Sequence, residues 1–423
     1  MVISTRLANS SKILLFIFVL FSLCFTSETA FSRDIIVGEG GIYTIRSAVE
    51  YSLDGDRIIV KGGYYWEGDI VIDKEISLIG EGNPVIDCNM KSRGIVVKKN
   101  NVVVKGFVIK NIASSNLDEL AAIKIYNANN CKLEYNRIEN GFFGIYLSNA
   151  KNCIVRNNDI LGNAKTESSS GNGIHLWRCD SITVESNSVS GHRDGIYFEF
   201  AGNSKIVKNI SFLNIRYGLH FMFSHGNLYA ENVFRNNGAG VAVMYTNHVE
   251  MYNNRFEENW GASSYGILLK DINDSRIYGN YFSKNTIALF VEGSNRIDVK
   301  DNDFINNGWA VKLMGNCYDD EIRSNNFIGN TFDIATNSSK NLNRFYGNYW
   351  DKYTGYDLDR DGYGDVPFRP VSIYSILTEK VPSGKILMRS FVMNILDVAE
   401  KVFPALIPES LIDDKPLMKK IEK

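Results

Sequence analysis

From residue 94 to residue 311 the chain repeats one line: a small residue, an aliphatic one, a short alternation of apolar and polar positions, and then two further alternating runs. The lines start at Gly94-Ile95, Ala122-Ile123, Gly144-Ile145, Gly173-Ile174, Gly195-Ile196, Gly218-Leu219, Gly240-Val241, Gly266-Ile267, Ala288-Leu289 and Ala310-Val311. Five of the nine intervals are 22 residues, and the excess in the others falls in polar stretches such as Lys165 to Asn172. Runs such as Ile145-Tyr146-Leu147 and Cys153-Ile154-Val155 have the period of two that a short strand requires. A coil of this length cannot bury an apolar face alone, so its repetition predicts stacking. The predicted fold is all-β: a right-handed parallel β-helix of about ten to a dozen coils of roughly 22 residues. Leucine-rich repeats are excluded by the leucine spacing and by the lack of a helical run between strands, and a propeller blade needs about twice the period.

A second register supports the first. The residue fourteen places after the line start is Asn136, Asn158, Asn187, Asn209, Asn232, Asn254, Asn280 and Asn302 in eight successive lines. Asparagine tolerates turn conformations and its amide can bond to the coil above, so this column predicts a ladder along one bend. Before the repeat, Thr44 is placed to N-cap a short helix through Ile45 to Tyr51 covering the first coil, with strands beginning at Arg57-Ile58-Ile59-Val60. After Pro370 the pattern changes: Ser390 to Val402 has apolar residues at helical spacing, and Pro404, Pro408 and Pro416 interrupt the segment beyond it. The expected organisation is an export signal over 1–30, a β-helix over 31–370 and a helical C-terminal tail over 371–423, which either caps the solenoid or forms a partner-binding arm.

The signal rests on Arg6 and Lys12 ahead of the apolar run Ile13 to Phe21, which is too short for a comfortable membrane span. Five of the six cysteines lie beyond it, an odd number that leaves at least one thiol free in an oxidising compartment. Cys131 and Cys153 stand one line apart and read as small core residues, at a spacing that also permits a disulfide. A net charge of −2 offers nucleic acid no basic field.

All five histidines lie between His175 and His248, which directs attention to the coils around them. Side chains alternate along a strand, so offsets +2 and +4 from the line start face outward. Offset +2 carries His175, Tyr197, His220 and Ala242, and offset +4 carries Trp177, Glu199, Met222, Met244 and Lys270. Adjacent strands lie about 4.8 Å apart, so His220, Met222 and Met244 can converge, with Glu199 beside them and His225 and His248 near the next bend. Thioether and imidazole form a soft donor set suited to copper, above all Cu(I). On the same surface Arg193 and Arg216, with His192, Asp194, Tyr197 and Glu199, could instead recognise an acidic sugar. Near the end, Asp357, Asp359, Asp361 and Asp365 take positions 1, 3, 5 and 9 of a calcium-type loop with Gly362 at position 6, although Phe368 stands where a bidentate glutamate is usual.

The strings HRDGIYFE from His192 to Glu199, RYGLHFMFSH from Arg216 to His225 and GAGVAVMYT from Gly238 to Thr246 resemble the NosD family of periplasmic accessory proteins for nitrous-oxide reductase. The resemblance runs from about Asp34 to Pro370 and into the tail. It implies a non-enzymatic role in copper maturation: an ABC transporter and a copper chaperone as partners, assembly of the reductase's copper-sulfur centre, and docking of the C-terminal segment on the transporter's membrane subunit. It does not assign copper ligands, so the set above is a reading of the stacking. Against it stand a polysaccharide lyase, epimerase or hydrolase working through Arg193, Arg216, Tyr197 and Glu199, and a docking scaffold that touches no metal.

Overall fold

The alternation at period two becomes a three-sided coil. The structure is a computed structural model that describes residues 32–115, 118–168, 170–338, 342–372 and 411–422. Each coil contributes one strand to each of three parallel sheets. Sheet A runs from Asp34–Val37 to Leu342–Tyr346 with 14 strands, sheet B from Tyr64–Tyr65 to Tyr349–Trp350 with 13, and sheet C from Ile70–Ile72 to Phe332–Ala335 with 12. Fourteen strands in sheet A exceed the ten to a dozen coils expected, because the terminal coils lack the small-aliphatic start. The strands also begin earlier than Arg57: Asp34–Val37 pairs in register with Arg57–Val60 and buries Ile35 and Val37. The helix Ile45–Tyr51 lies between these two strands; Thr44 accepts the Ser47 amide at its N-terminus, and Ile45, Ala48 and Val49 are buried.

Stacking places like on like in the core. Phe234, Phe256, Phe282, Phe304, Phe327 and Trp350 form a continuous ring stack with centroid spacings of 4.1 to 5.5 Å, and such offset stacking adds to simple area burial. The five described cysteines are buried and unpaired. Cys131 and Cys153 do stack, with the Cys131 amide donating to Cys153 Sγ at 3.4 Å, but no bond joins them.

The interior bends are satisfied by amide ladders. Asn158 shows the unit: its Oδ1 accepts from the Asn136 amide, while its Nδ2 donates to the Leu133 carbonyl and to Asn187 Oδ1. The column continues past Asn302 to Asn325 and Asn348 and ends on the carboxylate of Asp413. A second ladder, unforeseen from the sequence, links Asn214, Asn237, Asn259, Asn285, Asn307 and Asn330. His192 heads this column, its amide donating to Asn214 Oδ1.

A third polar column includes one anomaly. Asp320 Oδ1 accepts the Ile297 amide and its own amide donates to Asn343 Oδ1, but Oδ2 is buried without a partner. Burial pushes its pKa up to about 7, only partly opposed by the Ile297 hydrogen bond. The unfolded value is near 3.9, so its contribution to stability is intact in acid and is lost as pH rises through about 7. Asp320→Asn is therefore expected to raise the melting temperature at pH 8 and to change it little near pH 4. The gap between the two conditions should be on the order of a few kcal/mol, measured by thermal unfolding of both proteins across that range.

Two expectations for the chain ends fall outside the described residues: the export signal over 1–30 and the helical spacing of Ser390 to Val402. The described part of the tail, 411–422, contains no helix. It bridges to Phe345, Tyr349, Tyr363 and Phe368, with Leu411 and Asp413 fully buried, and so closes the end of the solenoid. These residues form an extended cap, in keeping with the proline breaks read after Val402. Pro416 and the five N–H groups that converge on Asp413 favour an extended cap there.

Candidate metal-binding face

The outward face of sheet C is assembled from the strands Ile174–Trp177, Asp194–Glu199, Tyr217–Met222, Ala239–Met244 and Tyr265–Lys270. Their inward residues, among them Ile196, Phe198, Leu219, Phe221, Val241 and Val243, are buried in the core, so the alternate residues must face out. Register then builds two columns: His175, Tyr197, His220, Ala242 and Leu268 in one, and Trp177, Glu199, Met222, Met244 and Lys270 in the other.

In the first column Tyr197 lies between two imidazoles, 4.7 Å from the His175 ring centre and 5.0 Å from that of His220. Burial pushes His175 down to about 3, so it is neutral; its Nδ1 sits 3.1 Å from Asn172 Nδ2 and its Nε2 has no partner. His220 is 5% exposed, with Nδ1 3.3 Å from an Arg216 guanidinium nitrogen and 3.6 Å from Asp194 Oδ2. Its Nε2 is buried and also unpartnered. Asp194 is held in a two-point ion pair by Arg216. Burial works to raise its pKa, but the bonds from Arg216 and His220 outweigh this and keep it at about 2.

Register sets three of the expected ligands, Glu199, Met222 and Met244, side by side in one column, with His220 in the neighbouring column on the same strand as Met222. The Tyr197 hydroxyl donates to Glu199 Oε2 at 3.3 Å and lies 3.9 Å from Met222 Sδ, while Met222 is the register neighbour of both Glu199 and Met244. His225 and His248 are placed elsewhere. The chain turns at Phe200, Phe223 and Tyr245, whose φ values are 53°, 49° and 54°, and these rings stack as a half-exposed wall between the methionines and the next bend. Beyond it His225 Nδ1 accepts the Asn247 amide, and His248 Nδ1 lies 3.1 Å from Asn247 Oδ1. Neither faces the Met222 side of the wall by way of a shared strand.

Two members of the acidic-sugar surface are withdrawn from it and a third is engaged inside the fold. His192 is inside the solenoid with 1% exposure, and Asp194 is fully buried and occupied by Arg216. Sequence reasoning also missed a polar rim from the long coil before Ala122: Glu119 accepts from Tyr146 and pairs with Lys124. The signal available was the interval of 28 residues, which marks an insertion. Among the described residues, histidine, cysteine and carboxylate donors converge by themselves only at Asp357, Asp359 and Asp361, whose ligand atoms lie within 4.8 Å of one another. Asp365 is not part of that group; its Oδ2 accepts the Leu358 amide.

Comparison with known proteins places this chain in a family. A family model described as "Periplasmic copper-binding protein (NosD)" matches residues 158–355, the stretch that holds all of the sheet C face from Ile174 onward. Two relatives named "Probable ABC transporter binding protein NosD" are similar across most of their length. That of Stutzerimonas stutzeri is 28% identical over 84% of this chain and 85% of its own. That of Pseudomonas aeruginosa is 30% identical over 86% and 89%. Among solved structures, a family 28 exopolygalacturonase from Yersinia enterocolitica superposes with a TM-score of 0.56 at 10% identity, covering 76% of this chain and 79% of its own. The Dettilon tailspike protein superposes at 0.51 and 13% identity, covering 74% and 70%. At such identities these two structures speak for the parallel β-solenoid alone. With a relative of 30% identity along nearly its whole length, the chain belongs to the NosD family.

Proposed function

We propose that this protein is a periplasmic accessory factor that receives or delivers copper for the copper-sulfur centre of nitrous-oxide reductase, together with an ABC transporter and a copper chaperone. The observation that carries the reading is the buried, unpartnered Nε2 of His220 on a face that also presents Met222 and Met244 in register. A buried nitrogen without a partner costs about 1–3 kcal/mol, a cost that a bound ion removes. Imidazole and thioether donors favour Cu(I) over harder ions, and Glu199 supplies a fourth group at the edge. In this reading His220, Met222, Met244 and Glu199 hold copper transiently, while His225 and His248 lie along the exit toward the next bend. Docking to the transporter's membrane subunit is assigned to the C-terminal tail, residues 371–423, whose end at 411–422 packs on the solenoid. An anaerobic Cu(I) titration against a competing chelator tests the proposal. Saturable binding that is lost in His220→Gln is expected, and absence of binding by folded protein would overturn it.

The aspartate loop is proposed to hold calcium as a structural ion. Asp357 Oδ1 is buried without a hydrogen bond inside the three-carboxylate group, and the same loop grips the C-terminal cap through the Gly364 amide on Pro416 and the Met418 amide on Gly362. Calcium is expected to raise the melting temperature relative to chelator-treated protein, and Asp357→Asn with Asp361→Asn to abolish that difference. An identical midpoint with and without calcium in the unmodified protein would remove the ion from the account.

A further inference from the structure

We propose that the cavity at the broken end of the second asparagine ladder is a binding site for a soft univalent cation, with the His192 imidazole as its innermost donor. The inference rests on the copper-handling reading but concerns different residues on a different bend.

The ladder explains why the cavity exists. Counting nineteen residues from the line starts Gly195, Gly218, Gly240, Gly266 and Ala288 gives Asn214, Asn237, Asn259, Asn285 and Asn307, and each amide points inward to bond a neighbouring coil. The same count from Gly173 gives His192, and from Gly144 gives Asn163, which is turned to solvent. At His192 the ladder ends, and a cavity of about 160 Å³ lies beyond it. Its wall includes Met90, Ser114, Asn140, Asn163, Ser170 and His192. Met90 is 51% exposed and marks the mouth; His192 at 1% marks the floor.

The lining selects the occupant. None of the residues around the cavity carries a carboxylate, an ammonium or a guanidinium, so hard divalent cations and anions find no counter-charge. The His192 ring is held neutral: burial pushes it down to about 4, with the Phe142 carbonyl opposing in part. Its Nε2 is buried and unpartnered, so a ring nitrogen is unspent and a proton does not compete for it near neutral pH. Met90 offers a thioether at the mouth, where its Sδ lies 3.7 Å from Asn140 Nδ2. The neutral imidazole and the thioether suit Cu(I) or Ag(I), soft ions of low charge that favour polarizable donors, while the amide and hydroxyl groups leave the cavity uncharged.

The test uses the full chain under anaerobic conditions, titrated with Ag(I) and with Cu(I), and histidine labelled with ¹⁵N. Four proteins are compared: the unmodified chain, His192→Asn, Met90→Leu and the Met222→Leu with Met244→Leu double variant. His192→Asn installs the residue that the column carries elsewhere and should keep the coil intact. The proposal expects His192→Asn to lose one binding equivalent that the Met222/Met244 variant retains, and Met90→Leu to weaken that same equivalent several-fold. It also expects the ring nitrogens of His192 to shift on Ag(I) addition. If folded His192→Asn keeps full stoichiometry and affinity, the cavity holds water only and the proposal falls, whatever the sheet C variants do. Loss in His192→Asn alone would instead sustain the cavity site and remove the sheet C ligand set. Should His192→Asn fail to fold, an unmoved His192 resonance in the unmodified chain, with Met90→Leu unchanged, overturns the proposal.

Discussion

Replacing Met222 and Met244 together by leucine is expected to lower Cu(I) affinity by one to two orders of magnitude, about 1.4 kcal/mol for each tenfold, while the melting temperature moves by only a few degrees. The fold should tolerate the change because leucine nearly matches methionine in volume and such swaps usually cost less than about 1.5 kcal/mol. Both side chains are only partly buried on the outer face, so the core stacks beneath them are not disturbed. What disappears is the pair of soft donors next to His220. A single substitution should have a smaller effect, since Glu199 or the remaining thioether can take up the vacated place. A competition titration against a Cu(I) chelator reads this directly. If the double variant binds as tightly as the unmodified protein, the donors lie elsewhere and the assignment to this face is wrong.

How far such a face can be read from sequence depends on the turns. Within a strand, the count from the line start works because side chains alternate: offsets +1 and +3 are buried at Leu219 and Phe221, and the outward offset +4 puts Met222 on the register neighbour of Met244. Offset +5 is different. It carries Asn127, Asn149, Arg178, Phe200, Phe223, Tyr245 and Asp271, every one with positive φ. The chain changes direction there, so alternation cannot be carried across to His225 and His248, and the bulky aromatics at three of these coils conceal a conformation that asparagine or glycine would advertise. The ladder at offset +14 was legible because asparagine recurs without exception over eight lines. The one at offset +19 carries the same signal from Asn214 onward, and it would have moved His192 from the surface to the interior. The three coils before Gly94 escaped the count because Asp34–Val37, Arg57–Lys61 and Ser77–Glu81 pair by backbone register without the repeated small residue. Contacts between distant segments, such as 348 with 413, leave no local periodicity to read.

Asp413→Ala is expected to be strongly destabilising, and to act on one end of the molecule. Asp413 Oδ1 accepts the amides of Gly347 and Lys415, and Oδ2 accepts the Asn348 amide, Asn348 Nδ2 and Trp350 Nε1, all between 3.0 and 3.2 Å. Asn348 is the last member of the first ladder and Trp350 ends the core ring stack, so one carboxylate terminates both columns. Its removal leaves the buried Asn348 amide and Trp350 Nε1 without an acceptor, at about 1–3 kcal/mol each, a sum reduced by whatever water enters. Asp413→Asn should not rescue it, because the amide turns one acceptor into a donor facing other donors. In a stacked array each coil depends mainly on its neighbours, so loss of the cap should fray the terminal coils first. Hydrogen exchange is then expected to accelerate over 342–350 and 411–418 while the coils from Asp194 to Met244 keep their protection. The copper binding proposed for sheet C should survive, separating the cap from that face; uniform loss of protection along the whole solenoid would show instead that the ladders unfold as one cooperative unit.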